Sequence, residues 1–322
     1  MKDTFLTATI ICGQVRRCKW GRPLANRTAH RAAFCSTPDH GLHSYTEAQP
    51  TRVSCVRCPS IDPQSVLFIT LDSCRFDTFV GAAVPHLRSI GPLHRAMAPG
   101  NFTYSSHAAM FVGFTPGDPS RAEPFVNPKF GKMFRLSGPH FPNKAAPAHF
   151  VLDGHSIVDG FKRRGYKTIG TGAARWFDPA WETSRALISD FDEFFYSGST
   201  YRLTAQLGWL EKAIADSPGP VFAFLNVGET HVPYYFEGAS WSFDDNPCVP
   251  FSHNNDADAC RIRQTAALEF VDRAIGPLLK SFRDASIFVC ADHGDCWGED
   301  GLWEHGFSHP KVLEVPLLFR SP

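Results

Sequence analysis

Three apolar runs constrain this chain more than any other feature: Val66–Leu71 (VLFITL), Val221–Val227 (VFAFLNV) and Ser286–Ala291 (SIFVCA). Each is strand-length, β-rich and without the polar alternation of a half-exposed strand, so each fits a strand buried on both faces. Between them lie stretches that read as helices: residues 79–90, with a break at Pro85, and residues 156–164, 201–215 and 256–282. Residues 166–171 and 315–319 read as further strands. Strands separated by helices predict an α/β fold, a mainly parallel central sheet with helices on both faces. In such sheets ligands bind beyond the carboxyl ends of the strands.

The first 60 residues differ in character. They follow neither a strand nor a helix period, are rich in Arg, His, Pro, Ser and Thr, and hold nine Lys/Arg against three Asp/Glu. We read residues 1–60 as a basic irregular extension and residues 61–322 as one α/β domain. With the extension set aside, the body carries 23 basic and 29 acidic side chains. It offers no basic stripe for nucleic acid and suits the collection of cations at carboxylates. No stretch has the length and apolarity of a transmembrane helix. The short run FLTATIIC at residues 5–12 lacks the flanks of a secretory signal, so the expected location is cytoplasmic. Ten cysteines are present; Cys55-Val-Arg-Cys58 has the spacing of half a zinc site but no second close pair, and reduced thiols are expected.

Polar clusters stand where the buried strands end. Asp72 follows the first, Glu229 and His231 follow the second, and Asp292-His293 follows the third. A carboxylate there has a desolvation cost that a cation can offset. The Asp-His pair with a second Asp supplies the oxygen and nitrogen ligands that suit zinc, manganese or a similar ion. The competing reading of each Asp is a helix N-cap.

The residues in this order resemble the alkaline phosphatase and sulfatase superfamily. Asp72-Ser73-Cys74-Arg75-Phe76-Asp77 is similar to its metal-binding opening, and TYSSHAAMFVGFTP at residues 103–116 to its nucleophile segment. Residues 267–294 resemble its long helix, with Asp272 and Gly276, leading to the Asp-His-Gly turn. GLWEHGFSHPKVLEVPLLFRSP at the end matches its last core strand. The resemblance covers residues 65–322 and is specific to the superfamily rather than to a substrate.

It implies a divalent metal (Mn, Zn, Ca or Mg) on Asp72, Thr103, Asp292 and His293, with Thr103 as nucleophile. True sulfatases carry Cys or Ser within Cys-x-Pro-x-Arg and convert it to formylglycine; here Thr103, Ser105 and His107 occupy those places. Threonine cannot follow that route, whereas its hydroxyl beside a metal can attack phosphorus. Thr103 also reads as a cap for a helix beginning near Ser105 or Ser106, and Tyr104, Ser105 or Ser106 is the hydroxyl if the alignment slips. Glu229-Thr230-His231-Val232-Pro233 is similar to the family's His-x-Pro segment, whose His contacts the ester oxygens. His305 falls near a family residue that contacts the leaving group, and His309 near the last His of two-metal members. Trp297 and Trp303 are substrate walls or ordinary packing.

The expectation is a metal-dependent hydrolase of a small anionic ester, a phosphate mono- or diester or a phosphonate, acting through a Thr103 intermediate. One ion is expected; a second on Glu229, His231, His305 and His309 is the alternative. A phospho-group transferase, a sulfate-ester hydrolase without formylglycine and an inactive binding module of the same fold are the competing functions. The segment at residues 117–155 is expected to shape the substrate pocket.

Overall fold

The computed structural model describes residues 61–113 and 155–322. The basic extension, Cys55, Cys58 and nearly all of the expected pocket-shaping segment lie outside the described residues. In chain order the strands are β1 (Val66–Leu71), β2 (His94–Met97), β3 (Lys167–Gly172), β4 (Glu193–Tyr196), β5 (Val221–Val227), β6 (Ser286–Ala291), β7 (Cys296–Trp297), β8 (Trp303–Glu304) and β9 (Glu314–Arg320). The helices are α1 (Phe76–Gly81), α2 (Pro85–Arg88), α3 (Thr103–Val112), α4 (Ile157–Lys162), α5 (Glu182–Ile188), α6 (Leu203–Ala215), α7 (Ala257–Ser281) and α8 (Pro310–Leu313).

Seven strands form one sheet in the order β2-β9-β6-β1-β5-β3-β4. The pairs made by β1, β3, β4, β5 and β6 with one another are parallel, and β9 runs antiparallel to both β6 and β2. The expected mainly parallel sheet is present. The three apolar runs are its central strands β5, β1 and β6, buried almost throughout, as continuous apolarity requires. Helices α1, α2, α6 and α7 pack among themselves, and α3 packs with α4 and α5. No helix of the described residues is long and apolar enough to cross a membrane.

The break expected at Pro85 is present: residues 79–90 hold the end of α1 and the separate helix α2, because the residue before a proline is pushed out of the helical region. Val84, ahead of Pro85, has φ −122° and ψ 65°. The helix placed near Ser105 or Ser106 begins at Thr103, and its N-cap is Phe102. Thr103 therefore does not serve as the cap, and its hydroxyl is free for other contacts. The edge strands β2 and β4 and the helix α5 carry no period that marks them in the sequence.

Register places the site. Leu71 lies opposite Ala291 across β1 and β6, and opposite Val227 across β1 and β5. Asp72, Gly228 and Asp292 thus leave three adjacent strands side by side. Beneath them, buried Asp272 of α7 accepts from the backbone N–H of Leu87 at 2.7 Å and of His86 at 3.3 Å. It satisfies the otherwise orphaned start of α2.

Asp272→Ala removes both acceptors in a buried setting. It should cost about 2 kcal/mol, read as a lower denaturation midpoint at unchanged slope.

Candidate metal centre and active site

Asp72, Thr103, Asp292 and His293 converge at the carboxyl ends of β1 and β6, and all four are buried. Asp292 Oδ1 accepts from the backbone N–H of Ser73 at 3.1 Å and of His293 at 2.9 Å, while its Oδ2 has no hydrogen-bond partner. Asp72 Oδ1 accepts a long bond from the Ser73 hydroxyl at 3.3 Å, and its Oδ2 is also without a partner. Nδ1 of His293 is engaged by its neighbour's carbonyl, Gly294 O, at 3.1 Å. Its Nε2 is thereby left toward the carboxylates.

The distances discriminate between hydrogen bonding and shared coordination. Nε2 of His293 lies 3.6 Å from Asp72 Oδ1 and 3.6 Å from Asp292 Oδ2. Thr103 Oγ1 lies 3.5 Å from Asp72 Oδ1 and 3.4 Å from His293 Nε2. These separations are long for hydrogen bonds. Ligands at about 2.0–2.1 Å around one tetrahedral ion stand about 3.4 Å apart, which is the spacing found. Asp72, Asp292 and His293 each offer a ligand atom within 4.8 Å of the other two.

Electrostatics points the same way. Burial raises the Asp72 pKa, and burial together with the Asp72 charge raises that of Asp292 well above the carboxylate range. Burial, with His305 next, lowers the His293 pKa well below the usual imidazole value. Two dry carboxylates and a neutral imidazole make a donor set that a divalent cation fits. Arg75, three residues after Asp72, does not supply that charge: it pairs with Asp77 at 2.6 Å and Glu299 at 2.8 Å and lies 4.0 Å above the Trp297 ring.

Helix α7 and the following turn hold this group in place. Gln264 donates to Ser73 O at 2.8 Å and Thr230 O at 3.0 Å, tying the turn after β1 to the turn after β5. At Gly294 any Cβ would stand 2.3 Å from Lys311 O, so the Asp-His-Gly turn accepts no side chain there. On α3, His107 is fully buried; its Nδ1 lies 2.7 Å from Thr103 O and its Nε2 lies 2.9 Å from Thr70 Oγ1. Burial lowers its pKa to about 4, so it holds the start of α3 against β1 as a neutral ring.

Sequence comparisons are silent: no protein-family model and no curated protein matches the chain. Structural comparison is not. The soluble domain of lipooligosaccharide phosphoethanolamine transferase A from Neisseria meningitidis matches 82% of this chain over 77% of its own, at 13% identity and TM-score 0.54. The C-terminal periplasmic domain of EcEptC from Escherichia coli, in complex with zinc, matches 81% over 73%, at 14% identity and TM-score 0.53. A phosphonate monoester hydrolase from Silicibacter pomeroyi matches 80% over 68%, at 15% identity and TM-score 0.50. At these identities the likeness is one of fold: the mainly parallel α/β sheet of this chain is shared with these transferase and hydrolase structures.

Within that fold, His231 and His305 stand beside the four converging residues. The His305 ring centroid lies 4.2 Å from that of His293 and 5.4 Å from that of His231. Nδ1 of His231 is 2.8 Å from Val232 O, which leaves its Nε2 uncommitted. Asp295, which ends the polar cluster after β6 but carries no expected role, lies 2.7 Å from His305 Nδ1. Its other oxygen accepts from the Tyr234 hydroxyl at 2.9 Å, and that hydroxyl accepts from Trp297 Nε1 at 2.7 Å. Burial opposes the charged form of His305, but the bond and charge of Asp295 outweigh it and the pKa rises. Trp297 thus packs as part of this chain of bonds.

The remaining second-site candidates are held elsewhere. His309 is the N-cap of α8, with Nδ1 accepting from Lys311 N–H at 3.0 Å and lying 3.1 Å from Cys296 Sγ, and Nε2 lying 3.2 Å from Asp300 Oδ2. Glu229 accepts from Leu203 N–H at 2.8 Å and so satisfies the start of α6, while its Oε2 has no partner. Among the described residues neither joins a three-ligand group. Of the alternative hydroxyls, Ser105 donates to Phe102 O at 2.9 Å, and Ser106 is buried without a partner.

Burial pushes the Glu229 carboxyl up to about 8. The unfolded chain releases this proton at ordinary glutamate pH, so the folded state loses stability as pH rises from about 4.5 to 8. Glu229→Gln should remove that loss. The stability difference between variant and wild type, measured by denaturation at pH 5 and pH 8.5, should grow in the variant's favour at the higher pH.

Proposed function

We propose that this chain is a metal-dependent enzyme that cleaves a phosphate mono- or diester, or a phosphonate ester, through a covalent Thr103 intermediate. The observation that carries the reading is the placement of the Thr103 hydroxyl 3.4–3.5 Å from His293 and Asp72, the spacing of co-ligands. Asp72, Asp292, His293 and Thr103 would hold one divalent cation. Bound there, it would supply positive charge to the ester oxygens and lower the pKa of the Thr103 hydroxyl. The zinc in the EcEptC structure supports zinc as a candidate without fixing the ion.

The residues divide the work as follows. Thr103 Oγ1, its proton lost to solvent, forms a bond to phosphorus while the ester P–O bond breaks. His231, its Nδ1–H on Val232 O, donates an Nε2–H to an anionic oxygen as imidazolium. His305, its Nδ1–H held by Asp295, delivers the Nε2 proton to the departing alcohol oxygen. Water then attacks the phosphothreonine, and His305 takes its proton, returning Thr103 and releasing the acid. The N-terminus of α3 favours negative charge at Thr103 throughout.

A second reading has a specific support: transferases stand beside a hydrolase among the structural neighbours. In it an alcohol replaces water in the second step, and the product is a new ester. Added alcohols separate the two, since a transferase forms the ester at the expense of free acid.

Thr103→Ala should lower turnover of an aryl phosphate or diester by at least ~10³, with Thr103→Ser retaining part of the rate. A near-normal alanine variant would move the nucleophile to Ser106 or Ser105.

The metal content of purified protein should be one equivalent. Asp292→Asn should lose it while folding is retained, and His231→Ala should keep it while slowing turnover. Loss of one of two equivalents in His231→Ala would establish a paired-metal site.

A further inference from the structure

A cleft beside the proposed centre is not used by the mechanism above. It encloses about 420 Å³, and three segments line it: the turn after β3 with Arg175, the connection from β4 to α6 with Tyr196 and Tyr201, and the loop after β5 with Pro233, Phe243 and Asp244. Its size is that of a small-ligand pocket.

Each segment is tied to the reactive residues. Ala173 and Ala174 donate their N–H groups to Asn226 of β5 at 3.2 Å, which fixes the turn carrying Arg175. The next residue, Trp176, packs 5.7 Å from Phe102 and 5.6 Å from Tyr104, the two neighbours of Thr103. Tyr201 donates its hydroxyl to Val232 O, directly after His231. The Tyr201 pKa is raised by burial and then by the charges of Asp72, Glu229 and Asp295, so the cleft wall lies within electrostatic reach of the centre.

The walls have a definite chemistry. Phe243, half exposed, meets Tyr201 edge-on with centroids 5.6 Å apart, leaving aromatic surface open to a ligand. Among the described residues the Arg175 guanidinium makes no hydrogen bond or ion pair, and neither does the Asp244 carboxylate. An unpaired guanidinium is a fork for a carboxylate or phosphate. Asp244 on another segment repels further negative charge, which limits the ligand to one anionic group.

We infer that this cleft binds the alcohol portion of the ester, a flat ring carrying one negative charge, with Arg175 as its anchor. The inference rests on the proposed ester cleavage for its meaning but not for its test. Two aryl phosphates serve as probes, one with a ring carboxylate and one with the neutral carboxamide in its place. Arg175 is exposed, so Arg175→Met should raise KM for the carboxylate ester about threefold, the scale of a solvated ion pair, with kcat unchanged and the carboxamide ester unaffected. Asp244→Asn should lower KM for the carboxylate ester about twofold, by removing a solvated like charge. Arg175→Met acting on both esters alike, or on neither, overturns the inference.

Direct calorimetric titration with 4-hydroxybenzoate and 4-hydroxybenzamide separates this inference from the catalytic reading. Binding of the benzoate that weakens in Arg175→Met upholds the cleft even if neither ester turns over. Turnover of both esters with no preference for benzoate and no dependence on Arg175 overturns the cleft and leaves ester cleavage standing.

Discussion

Two carboxylates side by side in a dry place set the terms for everything around them. The register of β1 against β6 delivers Asp72 and Asp292 together, both buried and each with an oxygen that nothing in the described protein engages. The chain has basic groups nearby but spends them elsewhere: Arg75 on Asp77 and Glu299, Lys311 on Asp77 at 2.7 Å. Arg75 is itself buried, and its guanidinium is committed to Asp77 and Glu299, to Asp295 O at 3.2 Å and to the face of Trp297. Holding uncompensated negative charge at strand ends costs stability, and a site for a cation is the arrangement that recovers it.

The nucleophile candidate depends on that pair in turn. Thr103 is the first residue of α3, and its position follows from how the helix is seated rather than from a side-chain cap. His107, one turn on, joins Thr103 O to Thr70 of β1 and sits among Phe111, Phe177 and Phe224. An arginine at this position would bring a charge into an aromatic setting beside the metal ligands. A neutral imidazole makes both bonds without one. The hydroxyl, the two acids and His293 are then fixed by three elements that share one hydrophobic core.

The sequence discloses the centre of the sheet and little of its rim. VLFITL, VFAFLNV and SIFVCA are legible because strands buried on both faces are nearly all apolar. HRAM in β2 and EFFY in β4 are held by pairing to β9 and β3, which a local pattern does not record. Likewise Asp72, Thr103, Asp292 and His293 are found by their place after strands and by resemblance. Gln264 acts through contacts more than 30 residues away and carries no local mark, and His107, marked only as standing in an arginine's place, reaches Thr70 across a comparable gap. His309 shows the converse failure. Its distance along the chain suits a second site, but α8 takes its ring as a cap.

Four buried acids show how partners, rather than proximity, decide which of them call for metal. Asp72 and Asp292 each keep an oxygen without a donor, and their neighbours stand at 3.4–3.6 Å, too far for strong hydrogen bonds and right for a shared ion. Glu229 also has an orphan oxygen, but no second ligand stands near it, and burial turns it toward the protonated form. Asp295 is the opposite case. With His293 and His305 it makes a three-ligand group by distance alone. Yet both its oxygens are taken, one by Tyr234 and one by His305 at 2.7 Å. Two ligands of one ion at about 2.1 Å cannot approach each other that closely in tetrahedral geometry. The space between Asp295 and His305 belongs to a proton, which fixes the His305 ring with its centroid 4.2 Å from that of His293. The same residue type thus stands open to a cation at one strand end and is closed to it by an imidazole and a tyrosine hydroxyl at Asp295.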